Sequence, residues 1–233
     1  MASFVMGIPP DAGFLAAARE RGIVTMGTAT TVDEAVAVEA AGMDAVVASG
    51  SDAGGHRGAF LRPINESLVG TFSLIPPQVA RAVSIPVVAA GGIADTRGIA
   101  AAMLLGADAV QIGTGFLATE QSGASAVHRA RLRSAEARTT VLTRLFSGRT
   151  ARGIANRFTR EMAEFEAAVP GYPAQNALMA PIRTAAAQRG DAELLNLWSG
   201  QSAALAGSTD AREYLAALTA DADFCGGRHG SER

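Results

Sequence analysis

The sequence predicts an α/β fold built on a parallel sheet, and three observations predict it. Short β-branched apolar runs begin near Ser3, Ile23, Ala45, Ile85 and Ala109, with alanine-rich helical stretches between them. Strands that alternate with helices in this way pair in parallel, because each helix carries the chain back to the same end of the sheet. Next, Gly42-Met43-Asp44-Ala45-Val46 and Gly106-Ala107-Asp108-Ala109-Val110 repeat one pattern, with a looser copy at Gly22-Ile23-Val24. Each places a glycine where a helix end needs positive φ, and a strand follows at once. Finally, the runs end in small-residue loops: Gly7-Ile8-Pro9, Gly27-Thr28-Ala29, Gly50-Ser51, Gly91-Gly92 and Gly113-Thr114. These features suit a (β/α)8-type barrel or a doubly wound sheet, and in both folds ligands bind at that end of the strands.

The intervals between run starts are 20, 22, 40 and 24 residues. Three fit one plain βα unit, and the third carries an insertion whose length points to function. From about Gln121 the pattern turns helical, without clear strands, over Ala124 to Glu136, Asn156 to Ala168, Ala177 to Gln188 and Ala192 to Ala206. We therefore expect a βα region over 1–120, a helical cap or appendage over 121–223, and a disordered tail over 224–233.

Composition narrows the chemistry. A hydrophobic share of 48% with net charge −2 belongs to a compact globular protein. No stretch approaches the roughly 20 apolar residues of a membrane span, and no basic segment leads into an apolar signal core, so we expect a cytoplasmic protein without a membrane partner. All 20 basic residues are arginine. Without lysine there is neither a Walker A phosphate-binding loop nor a Schiff-base enzyme. The arginines are interspersed with acids, which argues against a nucleic-acid partner. A single cysteine, Cys225, rules out an intramolecular disulfide or a multi-cysteine metal site.

Two segments carry candidate chemistry. Asp52-Ala53-Gly54-Gly55-His56-Arg57-Gly58 follows the third run directly and opens the long interval. Glycines let the backbone approach a ligand, and an imidazole placed among them can act as acid, base or donor near neutral pH. Arg57 suits a substrate anion or an ion pair. His128, in an arginine-rich helical run, and His229, in the tail, are read as structural. Further on, Ala89-Ala90-Gly91-Gly92-Ile93-Ala94-Asp95 and Gln111-Ile112-Gly113-Thr114-Gly115 end the last two runs, with Asp95 and Thr96 as candidate helix N-caps. Glycines after consecutive strands expose backbone N–H groups and form a phosphate cup. Gly113-Thr114-Gly115-Phe116-Leu117-Ala118 also fits the dinucleotide pattern G-x-G-x-x-A, but it closes the last strand instead of opening a βαβ unit.

In order and spacing these segments resemble the nitronate monooxygenases, formerly called 2-nitropropane dioxygenases. The likeness continues through Ser147-Gly148-Arg149, Ala151-Arg152-Gly153, Asn156-Arg157-Phe158, Tyr172-Pro173-Ala174-Gln175-Asn176-Ala177 and Leu197-Trp198-Ser199-Gly200-Gln201, and so runs from Ser3 to about Ala206. The resemblance implies a TIM barrel with FMN at its mouth, a flavin reduced by an alkyl nitronate or nitroalkane and reoxidised by O2. It makes His56 the catalytic residue, sets Gly54 against the flavin, and gives the phosphate to Gly91, Gly92, Gln111, Ile112, Gly113 and Thr114. Where the family often has Gln-Gly-x-Glu, this chain has Ser49-Gly50-Ser51-Asp52, so a hydroxyl at Ser49 meets the flavin in place of an amide. Family members also begin with three further strands. Five strands cannot close a barrel of eight, so the resemblance implies a partial barrel of about five βα units. Related FMN-dependent enoyl-acyl-carrier reductases and NAD(P)H:quinone reductases share the Ala-Gly-Gly-His loop and form the alternative, as does a non-catalytic remnant.

Overall fold

The computed structural model describes residues 1–6, 9–74 and 78–220; the expected tail from 224, with Cys225 and His229, lies outside them. Its first half builds β1 (Ala2–Phe4), α1 (Ala12–Glu20), β2 (Thr25–Ala29), α2 (Val32–Ala40) and β3 (Ala45–Ser49). The long interval then holds β4 (Gly55–His56), a 3₁₀ turn at Ile64–Glu66 and the short helices α3 (Thr71–Leu74) and α4 (Ala80–Ala82). After it come β5 (Val87–Ala90), α5 (Thr96–Leu104), β6 (Ala109–Gln111) and α6 (Thr114–Leu117). Five strands pair in the order β1-β2-β3-β5-β6, all parallel. This order decides between the two sheet types. A doubly wound sheet reverses direction at a switch point, whereas strands added one after another with right-handed crossovers put every helix on one face, as in a barrel. The sheet is an open arc of a (β/α)8-type wall, with β1 and β6 at its edges.

Sequence repeats explain how each unit closes. Gly22, Gly42 and Gly106 take φ of 62°, 87° and 110°, the left-handed values their helix ends require. The aspartate two residues after the second and third of these has a further use. Asp44 accepts hydrogen bonds from the backbone N–H and hydroxyl of Thr25, and Asp108 accepts from the N–H of Val87 at 2.8 Å. In both units the carboxylate ties the start of the incoming strand to the start of its neighbour. Helix starts are capped as well: Thr31 opens α2 and Asp95 opens α5, each with its side-chain oxygen on the third residue's N–H.

Strand alternation separates two faces. Val46, Ala48, Val87 and Ala89 pack against Leu15, Ala35, Val38 and Ala102 of the helices and form the main core. Their neighbours Val47, Ser49 and Ala90 point the other way, into a cavity. Glu34 of α2 is fully buried and spends its carboxylate on the N–H and hydroxyl of Thr30 and on the N–H groups of Phe60 and Leu61, tying the long interval down.

The second half is mainly helical, with α7 (Ala126–Leu132), α8 (Arg157–Glu161), α9 (Ala174–Gln188) and α10 (Ala211–Thr219). The expectation of no strands there needs correction. β7 (Thr140–Thr143) and β8 (Ala151–Ile154) form an antiparallel hairpin, and β4 joins its outer side to give the order β4-β8-β7. Four-residue strands interrupted by Ser147-Gly148-Arg149 are too short to show period-2 alternation. Ala192 to Ala206, expected as a helix, is two 3₁₀ turns, Ala192–Leu194 and Ala203–Leu205, with an extended link whose Trp198 bridges Gly153. A second apolar cluster, around Leu132, Ile154, Ala186, Leu195 and Leu197, holds this half together.

Candidate active site

A cavity of about 280 Å³ opens at the C-terminal ends of β2, β3, β5 and β6. Ser49, Gly54, His56, Gly91, Gln111, Gly113 and Thr114 line it together. Two of the expected residues lie elsewhere. Gly92 borders an adjoining cavity against α5, and the side chain of Ile112 packs on the main core. Sequence reasoning left out Thr28, Val47, Trp198, Gly200 and Ser202, which also line it. Thr28 was visible as a strand-end residue, but the other four belong to a strand interior or to the segment read as helix.

Backbone geometry shapes this cavity more than side chains do. Gly91 and Gly92 have φ of 103° and 70°, which turn the chain sharply off β5. Among the described residues the N–H groups of Gly91, Gly92 and Gly113 have no hydrogen-bond partner in the protein. A Cβ built on Gly113 would meet nothing within 4 Å, so this loop borders open space. The 199–201 segment closes the opposite side: Gly200 N–H donates to Thr114 Oγ1 at 2.9 Å and Gln201 N–H to Asp52 O at 3.0 Å.

His56 reaches the cavity from β4, held by its antiparallel pairing with Ala151. Its Nε2 lies 2.8 Å from Ser147 Oγ. The rings of Trp198 and Tyr172 are its aromatic neighbours, with centroids 5.4 and 6.1 Å away. Burial, and then the Arg149 guanidinium, push the imidazole below the usual histidine range, so it is neutral at pH 7. His128, on α7, faces the carbonyl of Trp198 with its Nε2 at 2.9 Å. A carbonyl can only accept, so this nitrogen donates and His128 fixes the tryptophan beside His56.

Arg57 takes neither of the two places expected for it. It is 1% exposed and pairs with no carboxylate among the described residues; its Nη1 and Nη2 donate to the carbonyls of Gly50 and Ser49 at 2.7 and 2.8 Å. Arg152 holds the next carbonyl, Ser51 O, at 2.7 Å. Two guanidiniums thus fix three consecutive peptides of the loop that follows β3, the loop that presents Ser49 and Gly54. Burial lowers the Arg57 pKa to about 10, and the nearby Arg152 adds to this. That value still leaves it charged at pH 7. Among the described residues no group of three metal-ligating side chains assembles, and no helix is long and apolar enough to cross a membrane.

The comparisons with known proteins agree with this geometry. The nitronate monooxygenase family matches residues 1–221. The chain belongs to the nitronate monooxygenase family. A probable nitronate monooxygenase of Staphylococcus aureus (strain MSSA476) is 52% identical over 204 residues, which cover 87% of this chain and 57% of that protein. Among solved structures, nitroalkane oxidase from Streptomyces ansochromogenes superposes with a TM-score of 0.88 at 45% identity, over 94% of this chain and 62% of that one. FabK from Thermotoga maritima superposes with a TM-score of 0.76 at 34% identity, over 94% and 67%. This nitronate monooxygenase family member therefore shares the α/β fold of those enzymes and spans a little over half the length of the curated relatives it matches. Its family is one of flavin-dependent oxidoreductases.

Proposed function

We propose that this chain forms the FMN-binding and base-carrying part of an enzyme that oxidises alkyl nitronates and nitroalkanes with O2, in the cytoplasm. The observation that carries the proposal is the convergence on one cavity of the β5 and β6 glycine loops and His56. We assign 1–120 to FMN binding and 121–223 to a cap; the first apolar cluster lies wholly within 1–120, and most of the second lies beyond it.

The residues present fit FMN. Unpartnered N–H groups at Gly91 and Gly113 suit a phosphate, while Val47, Leu117 and Trp198 offer apolar surface and Ser49, Gln111 and Ser202 offer polar atoms to a flat heteroaromatic ring. Bound there, FMN supplies a two-electron acceptor that O2 can reoxidise. The protein's own work is proton transfer and positioning. A neutral nitroalkane holds its α-hydrogen too tightly to donate hydride readily, so it must first become a nitronate. His56, kept neutral by burial, takes that proton; the C–H electron pair moves into the nitro group, and the nearby Arg149 makes the resulting imidazolium quick to release the proton to water. A nitronate supplied as such needs no base.

The test separates these substrates. In the holoenzyme, His56→Asn should lower turnover of neutral nitroalkanes by about 10²- to 10⁴-fold while retaining most of its FMN and its nitronate oxidation. Wild-type turnover of the neutral substrate should rise with pH as His56 deprotonates, with a midpoint below about 6.5, and stay level above it. Equal loss with both substrates, or no loss, overturns the role given to His56. Reduction of the bound flavin by NADH instead of nitronate would favour the reductase alternative.

A further inference from the structure

Ser147 and His56 are 91 residues apart in sequence, and β4–β8 pairing brings them together. A serine hydroxyl has one proton, so its position decides what the histidine does. Ser147 is 1% exposed, and its Oγ lies 3.0 Å from the carbonyl oxygen of Arg149. That carbonyl has no other donor among the described residues. The backbone N–H of Arg149 in turn points at Oγ from 3.4 Å. If the hydroxyl proton turned to His56, the Arg149 carbonyl would lose its partner and Oγ would have to face away from its own acceptor. With the hydroxyl donating to the Arg149 carbonyl, Oγ meets His56 as an acceptor, and Nε2 must carry hydrogen. A neutral imidazole has a single N–H, so Nδ1 holds the lone pair. Nδ1 has no hydrogen-bond partner in the protein among the described residues. Ser147 is not part of the cavity wall, whereas His56 is.

We propose that Ser147 is a positioning residue that locks His56 in its Nε2–H tautomer and so makes Nδ1 the basic atom presented to the cavity. The proposal rests on the reading of His56 as base. A hydroxyl suits this task better than a carboxylate, which would select the same tautomer but stabilise the imidazolium and leave less of the imidazole in its neutral form at low pH. The charged and titratable groups around the ring are compatible with this: Arg149 beyond Ser147, Arg152 on β8 with its side chain committed to Ser51 and Thr140, and Tyr172 at the ring edge, with no carboxylate among the described residues in ion-pair contact with His56. During turnover the α-C–H bond breaks as Nδ1–H forms. The imidazolium keeps its Nε2–H on Ser147 throughout, so the ring need not turn over before it discharges its proton to water.

Long-range ¹H–¹⁵N correlation of the imidazole nitrogens tests this directly in the full chain, with His56 assigned by the signals lost in His56→Asn. Above the His56 pKa the wild type should show a protonated, pyrrole-like Nε2 and a pyridine-like Nδ1. Ser147→Ala should give a mixture of tautomers, and Ser147→Thr should restore the wild-type pattern. In the holoenzyme, Ser147→Ala should cut kcat for neutral nitroalkanes about tenfold, with little change in KM or in nitronate oxidation. A wild-type spectrum with hydrogen on Nδ1, or a tautomer indifferent to Ser147→Ala, overturns the proposal. If the tautomer behaves as expected but His56→Asn leaves nitroalkane turnover intact, the lock stands and the reading of His56 as base falls.

Discussion

Gly54 is a glycine because of the backbone that passes over it. A Cβ at this position would lie 2.5 Å from Gly200 N and 2.6 Å from Ser199 C, closer than any real contact and against atoms that cannot swing aside. Gly54→Ala must therefore lift the 199–201 segment and strain its bonds to Thr114 and Asp52. We expect a loss of about 1–3 kcal/mol in urea unfolding, the usual cost of overpacking, together with weaker flavin retention. Gly113 offers the opposite case. Its φ is −101° and an added Cβ meets no protein atom, so Gly113→Ala should fold as stably as the wild type yet hold FMN less well. Equal stability and equal flavin affinity in Gly113→Ala would remove this loop from the cofactor site. The sequence made His56 visible through its glycine frame, but not Ser147 or Arg57 in their actual roles. Ser147 meets His56 through a strand pairing across 91 residues, and the Arg57 side chain turns back onto carbonyls seven and eight residues before it; residue type alone specifies neither contact.

Legibility rises at the scale of the element. The five parallel strands fall within two residues of the expected run starts, because buried parallel strands are continuous apolar runs and each after the first follows a glycine helix end or a turn. The hairpin of β7 and β8 was hidden for the reverse reason: its strands carry Thr, Arg and Gly, and their burial comes from β4 and Trp198, not from a hydrophobic pattern of their own. The repeated Gly-x-Asp pattern was read only for its glycine, yet its aspartate makes a specific prediction. Hydrogen bonds from Thr25 hold the Asp44 carboxyl below the usual aspartate range, those from the backbone first. A carboxyl with a depressed folded pKa contributes its stability above its unfolded pKa and loses it as pH falls through the folded value. Asp44→Asn should therefore lower Tm at pH 7, by an amount that solvent screening of this exposed carboxylate keeps small, and the difference from wild type should vanish in acid. Calorimetric scans between neutral and acid pH check this; a constant offset at every pH would show that Asp44 acts by packing alone.

The whole molecule presents an arc of sheet whose two edges and inner face are only partly covered. Around β1, Met1, Val5, Phe14 and Val24 are 82, 50, 46 and 49% exposed, and the side chains of Ala109 and Gln111 on β6 are exposed too. Edge strands with unpaired N–H and C=O groups next to apolar surface seek further strands. The cavity shares this openness: Val5, half exposed at the end of β1, is on the wall that would receive a flavin ring. Most of the affinity for such a ring comes from the surface that buries it, since a phosphate cup fixes only one end. We therefore expect residues 1–233, expressed on their own, to self-associate and to purify with little flavin. A chimaera that joins them to the part of the Streptomyces ansochromogenes nitroalkane oxidase that lies outside the matched 62% should be less associated and yellow. Light scattering after size exclusion reports the first property, and absorbance near the flavin maximum the second. A 233-residue protein that elutes as a monomer with stoichiometric flavin would mean that the sheet edges are protected and the ring is buried by elements of this chain alone, and the account of an open arc would have to be abandoned.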